Sequence, residues 1–120
     1  MLRAVRGAIT VDDDTGEAIH DRTAELLGEV LERNALTADD LVSIIFTATE
    51  DLTAEFPAVA ARAMGLVRVP LLCAREIPVV GSLPMCIRLL AHCYVPPERE
   101  IRHVFLRDAV RLRKDLVEEG

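Results

Sequence analysis

The sequence predicts an α+β domain in which helices pack on one face of a mixed, five-stranded sheet. Three observations lead there. Five short segments alternate apolar and polar residues or run apolar with β-branched side chains. Two others place apolar residues at helical spacing. Their order along the chain is β-α-β-α-β-β-β, the succession of an α+β domain.

Residues 2–11, LRAVRGAITV, alternate with period two and end β-branched, which predicts the first strand. The next stretch carries Ile19, Leu26, Leu27, Val30 and Leu31 as one helical stripe, and Asp14 followed by Glu17 reads as a capping box. A helix over about 15–34 follows from it. LTADD is a short helical turn with Thr37 as N-cap. LVSIIFTAT, 41–49, is the second strand. DLTAEFPAVAARAMG opens a second helix, in which Pro57 suits a first-turn position and Gly65 the residue just past the end. LVRVPLLCA, 66–74, is the third strand. In SLPMCIRLLAHCYV a helical turn is expected at 82–85 and a strand from about 86, with Arg88, His92 and Tyr94 on one face and Ile87, Leu89, Ala91 and Cys93 on the other. PPERE turns the chain, and IRHVFLRDAV, 101–110, is the fifth strand.

At 120 residues the chain is expected to form a single domain, residues 1–120, able to bury a core without staples. Its four aromatic residues are Phe46, Phe56, Tyr94 and Phe105, so that core is built from Leu, Val, Ile and Ala. No apolar stretch approaches the roughly 20 residues that span a bilayer, and the N-terminus lacks the pattern of a secretory signal. A soluble, cytoplasmic protein with no membrane partner is the expectation. Cys73, Cys86 and Cys93 are odd in number and lack CxxC spacing, which argues for free thiols rather than disulfides or zinc.

The net charge of −6 is unevenly spread. Residues 12–55 hold thirteen acids against Arg22 and Arg33, whereas residues 56–120 hold ten bases against seven acids. Nucleic-acid binding is disfavoured by the acidic balance and scarce aromatics. All basic residues but Lys114 are arginine, which keeps its charge when desolvated and grips carboxylates bidentately.

Nucleophile, phosphate-loop, dinucleotide and metalloprotease signatures are all missing from the sequence. His20, His92 and His103 lack paired ligand spacing and read as structural or surface residues. Arginines near strand ends remain, and Arg88, flanked by MCI and LLA, is costly to bury unless an anion meets it. Glu76, inside the apolar run LLCAREIPVVG, has the same difficulty with opposite sign. Either the two pair or a ligand compensates them.

Four segments, VRGAITV at 5–11, ATEDLTAEFPAVAAR at 48–62, VPLLCAREIPVVGSLPMCIR at 69–88 and RHVFLRDAVRLRKDL at 102–116, together resemble the monofunctional AroH-type chorismate mutases. The resemblance runs nearly the whole length with the motifs in order. It implies the family's chorismate mutase-like (ferredoxin-like) fold, one long helix with shorter ones on a mixed five-stranded sheet, and a homotrimer with active sites between subunits. It also implies cofactor-free Claisen rearrangement of chorismate to prephenate, in the shikimate-derived branch towards phenylalanine and tyrosine.

Carried over by motif, Arg6 holds a substrate carboxylate, Arg88 reaches the ether oxygen and a carboxylate, and Glu76 contacts the ring hydroxyl. Cys73 makes a neighbouring polar contact. Phe56, Ala58 and Arg62 line the site across the interface, and Leu112 and Arg113 belong to a segment that closes over the ligand. Phe105 stands where the family commonly has tyrosine, and Val59 where some members have lysine. Loss of the tyrosine hydroxyl leaves open a second reading, a non-catalytic trimeric module that binds an anionic metabolite. One conflict is built into the carry-over. Cys73 and Glu76 are three residues apart, so a regular strand cannot aim both at one pocket. The strand should therefore end or bulge near 74–76, and regular pairing straight through Glu76 would make one of the two assignments wrong.

Overall fold

The structure is a computed structural model and describes residues 1–112. Its strands are β1 (Leu2–Thr10), β2 (Leu41–Ala48), β3 (Leu71–Arg75), β4 (Cys86–Tyr94) and β5 (Val104–Leu106). They form one sheet in the order β3-β2-β4-β1-β5. The central strand β4 runs antiparallel to both β2 and β1, while the edge strands β3 and β5 pair in parallel with β2 and β1. The sheet is mixed, as expected.

Period-two alternation in β4 decides which side the helices take. Ile87, Leu89, Ala91 and Cys93 point into the core, which they share with Val5 and Ile9 of β1 and Ile44 and Phe46 of β2. The long helix α1 (Gly16–Arg33) lays Ile19, Leu26, Leu27 and Val30 onto that layer, and the short helix α2 (Ala58–Ala63) buries Ala60 and Ala61 beside it. Gly7 of β1 lets α1 approach: a Cβ there would lie 3.2 Å from Leu26 Cδ1 and 3.3 Å from both Leu89 Cγ and Val30 Cγ2. No helix among the described residues is long and apolar enough to cross a membrane.

The opposite sheet face has no α-helix on it; the 3-10 turn Arg107–Leu112 covers only its end at Ala8 and Cys86. It carries Leu2, Ala4, Arg6 and Ala8 from β1, Arg88, Leu90, His92 and Tyr94 from β4, and Ser43, Ile45 and Thr47 from β2. Leu2, Leu72 and Tyr94 are each more than half exposed there.

Several elements differ from their sequence-based expectations, each for a local reason. Asp14 does not cap α1, because its carboxylate accepts the N–H of Thr53 at 2.9 Å, the N–H of Ala54 at 3.0 Å and the Thr53 hydroxyl at 2.9 Å. Those bonds hold its pKa below the usual carboxylate value. Thr15 takes the cap instead, and its hydroxyl accepts the Ala18 N–H at 3.1 Å. The turn at Ala38–Asp40 forms as expected, with the Asp40 carboxylate accepting the Thr37 N–H at 2.8 Å.

Helix α2 does begin beside Pro57, with the proline at its N-cap and Ala58 its first residue, since the residue preceding proline is disfavoured in helical backbone. Gly65 does follow its end, at φ +95°. Strand β3 starts at Leu71, just after Pro70, which has no N–H to donate. Residues 82–85 form no helical turn: Ser82 and Leu83 are irregular, Pro84 and Met85 are bends, and Met85 sits at φ +50°. Strand β5 stops at Leu106 because Arg107, at φ +54°, swings the chain into a 3-10 turn, Arg107–Leu112. The Arg107 guanidinium is held 3.0 Å from Glu25 on α1. That contact, together with Arg22, lowers the Glu25 pKa.

Candidate active site

The residues that sequence analysis singled out fall on both sides of the sheet. On the helix-free face, strand register aligns one row across all five strands: Phe105 beside Ala8, Ala8 beside Arg88, Arg88 beside Thr47, and Thr47 beside Ala74. Glu76 is the next residue of that face beyond Ala74. Arg6 lies on it too, one alternation along β1 from Ala8 and opposite Leu90.

Arg88 and Glu76 pair. Arg88 Nε lies 2.9 Å from Glu76 Oε1, with side-chain exposures of 34% and 22%. Proximity makes this an ion pair, although the buried Nε–H does not point along the line to the oxygen and has no aligned acceptor. The same Oε1 accepts the Thr47 hydroxyl at 2.7 Å. Cys86, on the same face of β4, has its thiol pushed up to about 11 by burial, with Glu76 adding to the effect and Arg88 opposing it. It therefore stays a neutral thiol and leaves the charge of Arg88 intact.

The approach to Arg88 is fixed by the left-handed backbone at Met85. The Met85 N–H is taken by both carboxylate oxygens of Asp51, at 3.0 and 3.2 Å, and its carbonyl accepts the Val11 N–H at 2.7 Å. Thr49 completes the clamp by accepting the Cys86 N–H on its hydroxyl at 3.0 Å and donating that hydroxyl to Asp51. On the other flank the backbone N–H of Arg6 donates to His103 Nδ1 at 3.0 Å. Partial burial, then the charges of Arg6 and Arg3, hold the His103 pKa below the ordinary 6.5.

Cys73 lies elsewhere. Pairing is regular along β3, and it continues past the strand's end, where the Glu76 N–H donates to the Ala48 carbonyl at 2.9 Å. There is no bulge, so Cys73 and Glu76 point to opposite faces. Cys73 pairs with Phe46 and opens into a cavity of about 330 Å³ that Leu52, Phe56, Pro57 and Arg75 also line. The conflict in the carry-over is thus settled against a pocket shared within one subunit.

Phe56, 68% exposed, stands at the rim of that cavity. Ala58 is buried in the main core, and Arg62 is exposed on α2. Leu112 packs with Phe105 and Leu83 against a small cluster of Ala8, Cys86 and Ala109 beside the Arg88 row. Arg113 lies outside the described residues.

One chain therefore gathers Arg6, Glu76, Arg88, Phe105 and Leu112 at one place, and Cys73 and Phe56 at another. Sequence analysis missed Thr47, Thr49 and Asp51. A hydroxyl in the apolar run IIFTAT was the available signal for Thr47, since it falls on the face opposite Phe46. Among the described residues no group of three or more His, Cys, Asp or Glu side chains could hold a metal ion.

Comparison with known proteins gives a single consistent answer. Residues 2–116 match the family described as chorismate mutase type I. The chain is 58% identical over 118 residues to the chorismate mutase AroH of Thermus thermophilus, covering 97% of each chain. It is 42% identical over 118 residues to the chorismate mutase AroH of Bacillus subtilis, covering 97% of this chain and 93% of that one. Among solved structures, a chorismate mutase from Clostridium thermocellum superposes with a TM-score of 0.88 at 47% identity, covering 91% of this chain and 98% of that one.

Proposed function

The chain belongs to the chorismate mutase type I family, and from that premise we propose how its two groups of residues divide the work. Chorismate mutase is an isomerase of aromatic amino-acid biosynthesis that converts chorismate to prephenate. The reaction is an intramolecular rearrangement, so it asks of the protein no nucleophile and no proton transfer. Two contributions remain. The pocket can hold a flexible dianion in its compact, reactive conformer. It can also hold positive charge where the breaking C–O bond leaves negative charge on oxygen.

Arg88 supplies that charge. The observation that carries the reading is its setting: a half-buried guanidinium, paired at Nε with Glu76, on a face of the sheet that no α-helix covers. Glu76 engages the guanidinium at its Nε edge, which leaves the terminal fork to an oxygen of the substrate. Glu76 accepts the ring hydroxyl, and Arg6 holds a carboxylate. Leu112 and Phe105 border the ligand.

Cys73, Phe56, Ala58 and Arg62 serve a neighbouring site. Because β3 presents Cys73 and Glu76 on opposite faces, one pocket acquires both kinds of residue only by drawing them from two subunits. A homotrimer joined through the helix-free face and the β3 edge does this three times over, and it also covers Leu2, Leu72 and Tyr94. The free cysteines suit a reducing, cytoplasmic setting.

Turnover of chorismate, followed by its ultraviolet absorbance, tests the catalytic role. Arg88→Ala should lose roughly 3–4 kcal/mol or more of transition-state stabilisation while the oligomer persists; near-normal turnover would remove Arg88 from the mechanism. Subunit mixing tests the shared site. Arg88→Ala and Phe56→Asp proteins, each inactive alone, should regain activity when co-assembled, since about a quarter of the sites in a random mixture would be intact. No recovery in verified mixed trimers would place each site within one subunit.

A further inference from the structure

We infer that Thr47 is a positioning residue of the active site, acting through Glu76 to fix the carboxylate against which Arg88 is set. This rests on the assignment of Glu76 and Arg88 to the reaction. Thr47 lies directly across from Arg88 in the β2–β4 pairing and beside Ala74 in the β2–β3 pairing, so its side chain stands between the two charged residues. Its hydroxyl donates to Glu76 Oε1 at 2.7 Å, the same oxygen that lies 2.9 Å from Arg88 Nε.

One donor, the Thr47 hydroxyl, and one cation, the Arg88 guanidinium, meet on the same oxygen, which leaves a definite division of labour. Oε1 is committed to the protein, and Oε2 accepts no hydrogen bond from any described residue. A carboxylate free to rotate would exchange its two oxygens. The Thr47 hydroxyl gives one orientation an added charge-assisted bond. It thereby keeps Oε2 for the substrate hydroxyl and holds the guanidinium at its Nε edge, with the terminal nitrogens facing outward. Thr47 never touches the reacting atoms. Its β-branched shape already suits the strand, so the hydroxyl is the part that needs a functional explanation.

Thr47→Val keeps shape and branching while removing the donor, and Thr47→Ser keeps the donor while removing the methyl. Thr47→Val should lower kcat about tenfold, the scale of one hydrogen bond to a charged group, with KM moving by no more than about threefold. Its unfolding midpoint should stay near wild type, and Thr47→Ser should recover most of the lost rate. In a Glu76→Ala background, adding Thr47→Val should change kcat less than about twofold, because the route of its influence is already gone. Wild-type kinetics for Thr47→Val would overturn the inference. So would a Thr47→Ser protein as slow as Thr47→Val, or an undiminished loss in the Glu76→Ala background. Failure of the underlying assignment is seen separately, as an Arg88→Ala enzyme that still turns over.

Discussion

His103 Nδ1 accepts the backbone N–H of Arg6 at 3.0 Å, so a side chain does the work of a main-chain carbonyl just before β5 begins its short parallel pairing with β1. An accepting Nδ1 requires the neutral ring with its proton on Nε2. The charges of Arg6 and Arg3 add to partial burial in favouring that neutral form.

A pH dependence follows, and its direction is determined. The folded-state pKa of His103 lies below the ordinary 6.5, so its contribution to stability is fully present above that value. It is lost as pH falls through the lowered folded-state pKa. His103→Asn, which accepts without titrating, should remove this part of the acid sensitivity. Urea unfolding of both proteins at about pH 7.5 and about pH 5 reads the difference, and equal losses on acidification would exclude His103 as the titrating group.

Gly7 is under a steric constraint alone, since its φ is not left-handed. Gly7→Ala would press a methyl against Leu26, Leu89 and Val30 at 3.2–3.3 Å. Overpacking of this kind costs about 1–2 kcal/mol. Thermal or urea unfolding should show that destabilisation, with turnover reduced less than stability because Arg6 lies on the other face. Unchanged stability would mean that α1 shifts freely away from the sheet.

Asp51 is expected to matter for rate without touching substrate. It clamps the Met85 N–H immediately before Cys86 opens the strand that carries Arg88. Asp51→Ala leaves a left-handed, non-glycine backbone without its main restraint, a conformation that costs about 1–2 kcal/mol to hold. Turnover should fall several-fold with a smaller change in KM. Wild-type kcat in a folded Asp51→Ala protein would show that strand pairing alone sets Arg88.

Phe105→Tyr adds one hydroxyl at the end of the Phe105–Ala8–Arg88 row. A single neutral hydrogen bond is worth about 0.5–1.5 kcal/mol, so kcat/KM for chorismate should rise between about twofold and about tenfold. Steady-state kinetics check it. A decrease would mean that the hydroxyl finds no acceptor and only disturbs the packing around Leu112.

Much of this fold was legible because its signals are local and periodic. The alternation in CIRLLAHCY correctly put Arg88, His92 and Tyr94 opposite Ile87, Leu89, Ala91 and Cys93. The stripe from Ile19 to Val30 likewise marked α1. What escaped depended on partners distant in the chain. Asp14 looks like a cap for its own helix until Thr53 and Ala54 claim it from 39 and 40 residues away. The end of β5 is set by the Arg107 backbone and by Glu25, 82 positions earlier. At the site, motif resemblance supplied Arg6, Glu76 and Arg88, and the register aligns them on one face. The resemblance could not say that Cys73 turns away, because motifs record order along the chain and not which side of a strand a residue occupies. Thr47 was invisible for a related reason: a threonine in a strand is ordinary until the acid beside it is known.

Strand β3 pairs without a bulge from Leu71 through the N–H of Glu76, and its two faces point to different places. That regularity restricts which changes of length the strand tolerates. Insertion or deletion of one residue in this strand would exchange the faces, turning Glu76 towards the helices and Cys73 away from its cavity. Side chains there can drift, but the count of residues cannot. A change of length is accommodated in the neighbouring loops, where it leaves the spacing from Cys73 to Glu76 intact.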